Sequence, residues 1–129
     1  MTEASRPRAL VVEDEAMIRA LSRAALERAG LDVDEAADGL EAVSYLHDSS
    51  RVYAIMFVDL ALLGTRGEDV VARAGVMRPG VPVVVCTGEP VDSVPGAVAV
   101  LPKPYRPSQL IALARRLVPS LSPPGSSPG

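Results

Sequence analysis

Short apolar runs alternate along the chain with stretches in which apolar residues recur every three or four positions. Strand-like runs cover residues 8–13, 31–36, 53–58, 81–86 and 97–101. Helical spacing covers residues 15–29, 38–48, 65–79 and 107–118. Strands that alternate with helices through short connections predict a parallel sheet with right-handed crossovers and helices on both faces. We therefore expect an α/β fold with a doubly wound, five-stranded parallel sheet.

The helix boundaries are marked by capping residues. Gly30 follows the first helix, and Pro107 stands at the first position of the last one. The segments Asp38–Glu41 and Thr65–Glu68 both resemble capping boxes, which predicts that helices begin there. One face of the first helix carries Met17, Ile18, Leu21 and Ala25.

The fourth strand-and-helix unit departs from the pattern. Residues 88–96 contain two prolines and two glycines, which leave little room for a normal helix. We expect a loop or a single turn here, so that the fourth helix is shortened or absent.

Composition narrows the possible functions. The chain has 129 residues and a net charge of −3, so it fits one domain and offers no basic surface for nucleic acid or an anionic membrane. Cys86, the single cysteine, lies in an apolar run and is expected to be a buried, reduced thiol. The polar start of the chain predicts neither a signal peptide nor a membrane span, and hence a cytoplasmic protein.

We divide the chain into three parts. Residues 1–7 form a polar lead and residues 8–118 the folded domain. Residues 119–129 are rich in Pro, Ser and Gly, and are expected to be a disordered tail.

Acidic residues stand at the ends of two strands. Glu13 and Asp14 follow the first strand, and Asp59 follows the third. Parallel strands bring such residues to one edge of the sheet, where two carboxylates about 4 Å apart repel by roughly 4 kcal/mol at an effective dielectric near 20. Three of them require a cation or a bound proton. Hard carboxylate oxygens suit Mg²⁺, which is often completed by a phosphate, so the pattern predicts a metal-assisted phosphoryl site.

Two more polar residues fall at the same edge, Thr87 after the fourth strand and Lys103 after the fifth. The ordered motifs are Val12-Glu13-Asp14-Glu15, Val58-Asp59-Leu60, Thr87-Gly88 and Lys103-Pro104-Tyr105. Together they resemble a response-regulator receiver domain of bacterial two-component signalling over about residues 8–118. The resemblance implies a flavodoxin-like (βα)5 fold with strand order 2-1-3-4-5.

The resemblance also implies a metal site. Asp14 would bind Mg²⁺ directly, together with Asp59 and the backbone carbonyl of Ala61. Glu13 stands where the family more often has Asp, and would act through a metal-bound water. Without the resemblance, residues 13–15 could equally be an ordinary acidic helix start, and Glu15 is assigned to that role.

Three residues would carry the phosphoryl chemistry implied by the resemblance. Asp59 would be the phosphoacceptor, Thr87 would donate its hydroxyl to the phosphoryl group, and Lys103 would pair with Asp59. A cis bond to Pro104 would aim the lysine inward. The ordinary alternatives are a solvated loop Asp, a strand-end Thr and a surface Lys.

The sequence also departs from the family pattern. Leu63 replaces a frequent Pro, Val100 replaces a usual aromatic, and Thr87 and Lys103 are only 16 residues apart. A Thr-Gly after strand four, a poor fourth helix and Lys-Pro-Tyr resemble a group of single-domain receivers in alphaproteobacteria. That group has Phe-Ala-Thr-Gly where this chain has Val85-Cys86-Thr87-Gly88.

From the resemblance we expect a stand-alone receiver that acts as a signalling switch or as a phosphorelay member or phosphate sink. It would be a phosphoacceptor and not an enzyme in the usual sense. Its partners would be a histidine kinase or histidine phosphotransfer protein and an unknown downstream protein. One alternative is a scaffold that binds partners without phosphorylation, for which loss of Asp59 or Lys103 would be typical. A phosphatase of the haloacid dehalogenase kind would need a second Asp at position 61, which is Ala61.

Overall fold

The computed structural model describes residues 6–121 as alternating strands and helices around one sheet. The elements are β1 (Arg8–Val12), α1 (Ala16–Ala29), β2 (Asp32–Ala36), α2 (Gly39–His47), β3 (Ile55–Asp59), α3 (Gly67–Met77), β4 (Val83–Thr87), β5 (Ala99–Pro102) and α4 (Pro107–Leu117). All neighbouring strands are parallel, in the order β2-β1-β3-β4-β5. The expected fold class and strand order are confirmed. None of the helices between residues 6 and 121 is long and apolar enough to cross a membrane.

Helices cover both faces of the sheet and create two cores. On one face α1 and α4 contribute buried residues such as Leu26 and Leu110. On the other face α2 and α3 contribute Leu46 and Val70. The central strands β3 and β4 are buried along their whole length, because they lie between both cores. This explains why they read as continuous apolar runs, whereas β2, at the edge, alternates.

Of the four residues on the apolar face expected for α1, only Ala25 is fully buried. Met17 and Leu21 are 76% and 59% exposed. The buried side chains of α1 are Ser22, Ala25, Leu26 and Ala29. The buried residues of α1 are therefore mostly small, and the larger side chains of Met17 and Leu21 lie at the surface.

The sequence predicts the cap of α2 correctly and the cap of α3 wrongly. At α2, Asp38 Oδ1 accepts a hydrogen bond from the backbone N–H of Glu41 over 2.8 Å, as its capping motif predicts. The capping box expected at Thr65 is wrong, because α3 begins at Gly67 after Arg66, whose side chain makes no capping bond. Thr65 instead packs closely on Gly39, where an added Cβ would lie 2.6 Å from the Thr65 side chain.

Residues 88–98, which connect β4 to β5, contain no helix. Val94 is buried in the core on the α2 and α3 side and anchors the segment. Gly96 has a φ of +89°, a left-handed conformation that glycine adopts without strain. The expected loss of the fourth helix is confirmed.

The ordered core extends past the expected boundary at residue 118. Leu121 is buried with the α1 and α4 core. Its Cδ2 would lie 3.3 Å from a Cβ added to Gly30, so it packs on the end of α1. Residues 119–121 are thus part of the folded domain, and the remainder of the expected tail, 122–129, lies outside the described residues, as do residues 1–5 of the lead.

Gly67 allows α3 to approach the end of β3. An added Cβ would lie 2.3 Å from the carbonyl oxygen of Asp59 and 2.5 Å from Cα of Leu60. Both contacts are to backbone, which cannot rotate away. The close approach is secured by a 3.2 Å hydrogen bond from Gly67 N–H to the Leu60 carbonyl. A residue without a side chain is therefore required beside Asp59.

We expect Gly67→Ala to lower the free energy of unfolding by about 1–3 kcal/mol, because the added methyl group forces the backbone of β3 to move. Urea unfolding monitored by circular dichroism measures the loss. Gly75→Ala is the matched control in the same helix, since its added Cβ meets nothing within 4 Å. The control should be neutral or stabilising, and equal losses in both variants would contradict the steric explanation.

Asp34 anchors a polar cluster at the edge of the sheet. Its carboxylate accepts hydrogen bonds from Arg8 and Arg51, both over 2.8 Å, and from the hydroxyl of Tyr53 over 2.7 Å. Burial alone would raise the pKa of Asp34, but the bonds from Tyr53 and Arg51 hold it below its ordinary value. A depressed pKa means that ionised Asp34 stabilises the fold above that ordinary value, and that this contribution is lost as pH falls through the folded-state pKa.

We expect Asp34→Asn to lower the free energy of unfolding by about 2 kcal/mol at neutral pH, because charge-assisted hydrogen bonds are lost. The difference from the wild type should narrow as the pH is lowered toward 3 in urea unfolding experiments. Asp32→Asn is the control, since the side chain of Asp32 is 45% exposed against 13% for Asp34 and its ion pairs are 3.7 and 3.8 Å long. It should cost less than about 0.5 kcal/mol. A pH-independent difference for Asp34→Asn would refute the electrostatic explanation.

Candidate functional site

The carboxyl ends of β1 and β3 bring three acidic side chains together. One carboxylate oxygen each from Glu13, Asp14 and Asp59 lies within 4.8 Å of the others. Glu13 and Asp59 are buried, and Asp14 is partly exposed. The pairing of β1 with β3 produces this cluster, because Val12 and Val58 are register partners and the acidic residues follow directly.

Lys103, just after β5, places its ammonium group between two of these carboxylates. Its Nζ donates to Glu13 Oε1 over 2.8 Å and to Asp59 Oδ2 over 2.9 Å. The side chains of Glu13 and Asp59 are only 3% and 4% exposed, and that of Lys103 is 18% exposed. The Lys103–Pro104 peptide bond is cis. Lys103 is also the only lysine in the chain.

These contacts perturb the titration of the site. Burial raises the pKa of Glu13 above its ordinary value, against the hydrogen bond from Lys103. Burial alone would lower the pKa of Lys103, but its hydrogen bonds to Glu13 and Asp59 raise it. A lysine that stays charged leaves the ionised cluster with a formal charge of −2, from three carboxylates and one ammonium. Oxygen ligands with this charge fit a hard divalent cation such as Mg²⁺.

Backbone N–H groups fix the orientation of the two buried carboxylates. Ala61 N–H donates to Asp59 Oδ1 over 3.1 Å, while Oδ2 faces Lys103. Glu15 N–H donates to Glu13 Oε2 over 3.1 Å. Ala61 therefore touches Asp59 through its amide, and ligation by its carbonyl stays a prediction.

Thr87 lies at the end of β4, the strand next to β3. Its side chain is buried, and its hydroxyl oxygen accepts a hydrogen bond from Glu89 N–H over 3.0 Å. The hydroxyl proton remains available to donate to another acceptor. The Thr87 carbonyl accepts from Lys103 N–H over 2.8 Å, which ties the ends of β4 and β5 together. A Cβ added to Gly88 would meet nothing within 4 Å, so the space beside Thr87 is open.

Cys86 pairs in register with Asp59 but belongs to the core. Burial raises the pKa of its thiol to about 12. A thiol that stays protonated is a poor nucleophile and a poor metal ligand. The expected reading of Cys86 as a buried, reduced residue agrees with this position.

Two features of the site could not be predicted from the sequence. One is the direct ion pair between Lys103 and Glu13, since a role through water was expected for Glu13. The other is the steric role of Gly67. The only sequence signal for the ion pair is that Glu13 and Lys103 both follow the ends of strands. This signal does not specify which carboxylate Lys103 contacts.

The arrangement can support nucleophilic chemistry at phosphorus. It joins a carboxylate held by a backbone N–H, a cation that can neutralise phosphoryl oxygens, and a cluster that suits a divalent metal. Within the described part of the site, the buried carboxylates that contact Lys103 are those of Asp59 and Glu13.

Known proteins share both the sequence pattern and the fold. The chain is 32% identical over 124 residues to the transcriptional regulatory protein ResD of Bacillus subtilis, covering 92% of this chain and 50% of ResD. It is 30% identical over 117 residues to the transcription factor SKN7 of Chaetomium thermophilum, covering 86% of this chain and 15% of SKN7. The chain thus spans half or less of these two relatives.

Solved structures agree on the fold. A CheY-like receiver domain protein from Methanospirillum hungatei superposes with a TM-score of 0.81 at 24% identity, over 89% of this chain and 95% of that one. A response regulator receiver protein from Sinorhizobium medicae gives a TM-score of 0.78 at 24% identity, over 89% and 96%. The model of the family described as "Response regulator receiver domain" matches residues 9–115. The chain therefore belongs to the response regulator receiver domain family of two-component signalling.

Proposed function

We propose that this receiver accepts a phosphoryl group on Asp59 in a Mg²⁺-dependent reaction. The single observation that carries the proposal is the buried Asp59 carboxylate, hydrogen-bonded to Lys103 and clustered with Glu13 and Asp14. The phosphoryl donor would be a histidine kinase or a histidine phosphotransfer protein, as is general for this family. The protein would work in the cytoplasm, where such donors present their phosphohistidine.

Asp14, Asp59 and the Ala61 carbonyl would hold the metal ion, and Glu13 would contribute through a metal-bound water. Bound Mg²⁺ supplies charge neutralisation for the phosphoryl oxygens and the carboxylates. Glu13 also holds Lys103 in place. This second task does not require the metal, and gives Glu13 a role before any ligand binds.

In the proposed transfer, a carboxylate oxygen of Asp59 attacks the phosphorus and the bond from phosphorus to the donor's histidine nitrogen breaks. The product is an acyl phosphate on Asp59, and the electron pair of the broken bond returns to the imidazole. The ammonium of Lys103 and the hydroxyl of Thr87 stabilise the phosphoryl oxygens. Ala61 N–H, already bonded to Asp59 Oδ1, keeps the carboxylate oriented.

Phosphorylation would act as a switch for a downstream protein. It replaces the single negative charge of the Asp59 carboxylate by an acyl phosphate that carries close to two negative charges. Thr87 is the residue that senses them, because its hydroxyl oxygen is bonded to Glu89 N–H at the start of the helix-free segment. A rotation of Thr87 toward the phosphoryl group releases that N–H and shifts the segment that leads to β5.

We expect Asp59→Asn to reduce phosphate incorporation at least 100-fold, because the amide oxygen is a poor nucleophile. The measurement is phosphate uptake from a small-molecule donor with Mg²⁺, followed by intact-mass spectrometry. Asp69→Asn, an exposed carboxylate on α3, is the control and should behave as the wild type. A wild-type protein that takes up no phosphate would favour the phosphorylation-independent scaffold.

We expect Asp14→Asn to weaken Mg²⁺ binding about tenfold or more, because an anionic ligand is replaced by a neutral one. Isothermal titration calorimetry of the unphosphorylated protein measures the affinity. Glu15→Gln removes the next carboxylate along the chain, which is exposed. It should change the affinity less than twofold, and a larger loss in Glu15→Gln than in Asp14→Asn would refute the assignment of ligands.

A further inference from the structure

Arg19, in the first turns of α1, reaches back to the loop that carries the acidic cluster. Its Nη1 donates to the backbone carbonyl of Glu13 over 2.8 Å. Its Nε donates to Glu35 Oε1 on the edge strand β2 over 3.1 Å. One guanidinium group thus joins a strand, a helix and the loop between β1 and α1.

The backbone N–H and the carboxylate of Glu13 are hydrogen-bonded to the sheet and to residues of the site, whereas its backbone carbonyl is bonded to Arg19. The N–H of Glu13 donates to the Ala36 carbonyl over 3.0 Å. Its carboxylate oxygens accept from Lys103 and from Glu15 N–H. Arg19 completes the set, and the peptide unit that it holds leads directly to Asp14.

We propose that Arg19 is a positioning residue for the acidic cluster, and that it sets the places of Glu13 and Asp14 through the peptide between them. The inference rests on the proposed Mg²⁺-dependent function and deepens it. An arginine is needed because two acceptors in different directions require the planar fork of a guanidinium. A lysine can keep the charge, but it does not reproduce the two fixed bonds.

Arg23 provides a matched comparison one turn further along α1. Its Nη1 donates to the other oxygen of the same carboxylate, Glu35 Oε2, over 2.6 Å, and its Nε donates to Glu27 over 3.2 Å. Arg23 therefore shares the helix, the residue type and the acceptor with Arg19. Its hydrogen bonds within the described residues go to side chains away from Glu13.

The first measurement is the Mg²⁺ affinity of Arg19→Lys and Arg23→Lys by isothermal titration calorimetry. Both variants keep the positive charge, so a difference between them reports geometry and not the local field. We expect about tenfold weaker binding for Arg19→Lys, as is typical when a group that orients metal ligands is lost. Arg23→Lys should stay within twofold of the wild type.

The second measurement needs neither metal nor phosphate. Because Glu13 Oε1 holds the ammonium of Lys103, displacement of Glu13 should leave that amine freer to react. Acetylation of Lys103 by an N-hydroxysuccinimide ester, followed by mass spectrometry of the peptide that contains it, measures this. We expect at least threefold faster labelling in Arg19→Lys and the wild-type rate in Arg23→Lys.

The two readouts separate failure of this inference from failure of the proposed function. Wild-type labelling of Lys103 in Arg19→Lys overturns the positioning role. So does wild-type Mg²⁺ affinity in that variant when the wild-type protein binds Mg²⁺. If the wild-type protein binds no Mg²⁺ and takes up no phosphate, the proposed function fails. Faster labelling in Arg19→Lys alone would then still support the positioning of Glu13 by Arg19.

Discussion

The ammonium of Lys103, shared by Glu13 and Asp59, is the contact on which the site depends. Two carboxylates with almost no exposure to water would be strongly destabilising without a cation, and the lysine supplies one at 2.8 and 2.9 Å. The contact joins residues 90 and 44 positions apart in the chain, so it forms only when β1, β3 and β5 lie in one sheet. The fold and the charge balance of the site are therefore interdependent. Gly67 serves the same end, because it lets α3 close on the backbone of Asp59.

The sheet could be predicted because hydrophobic patterning reports burial directly. β3 and β4 are apolar up to their last residues, Asp59 and Thr87, and lie between two layers of helices, whereas β2 mixes polar and apolar residues and lies at the edge. The meeting of acidic residues at one sheet edge follows from parallel strands alone. The strand order could not be predicted in this way, because patterning does not specify which strands are neighbours. It was implied by the resemblance of four motifs to a known family.

The rest depended on contacts between distant residues. The exposure of Met17 and Leu21 depends on which face of α1 meets the core, which the period of α1 alone does not encode. Thr65 has a favourable capping sequence, but α3 begins later because Gly67 must reach β3. Two contacts depend on the geometry of side chains from distant elements. These are the ion pair of Lys103 with Glu13 and the hydrogen bond from Arg19 to the Glu13 carbonyl. Local sequence holds no information on either distance.

The two outer strands of the sheet carry different obstacles to the addition of a further strand. β2 presents Asp32, Asp34 and Glu35, each paired with arginines from β1 or α1. An incoming chain would have to desolvate these charged side chains. β5 is only four residues long and ends at Pro102, which has no N–H to offer. An open sheet is a template for self-association when its margins are long and apolar. Charged side chains disfavour the addition of a strand beside β2, and short length with a terminal proline disfavours it beside β5.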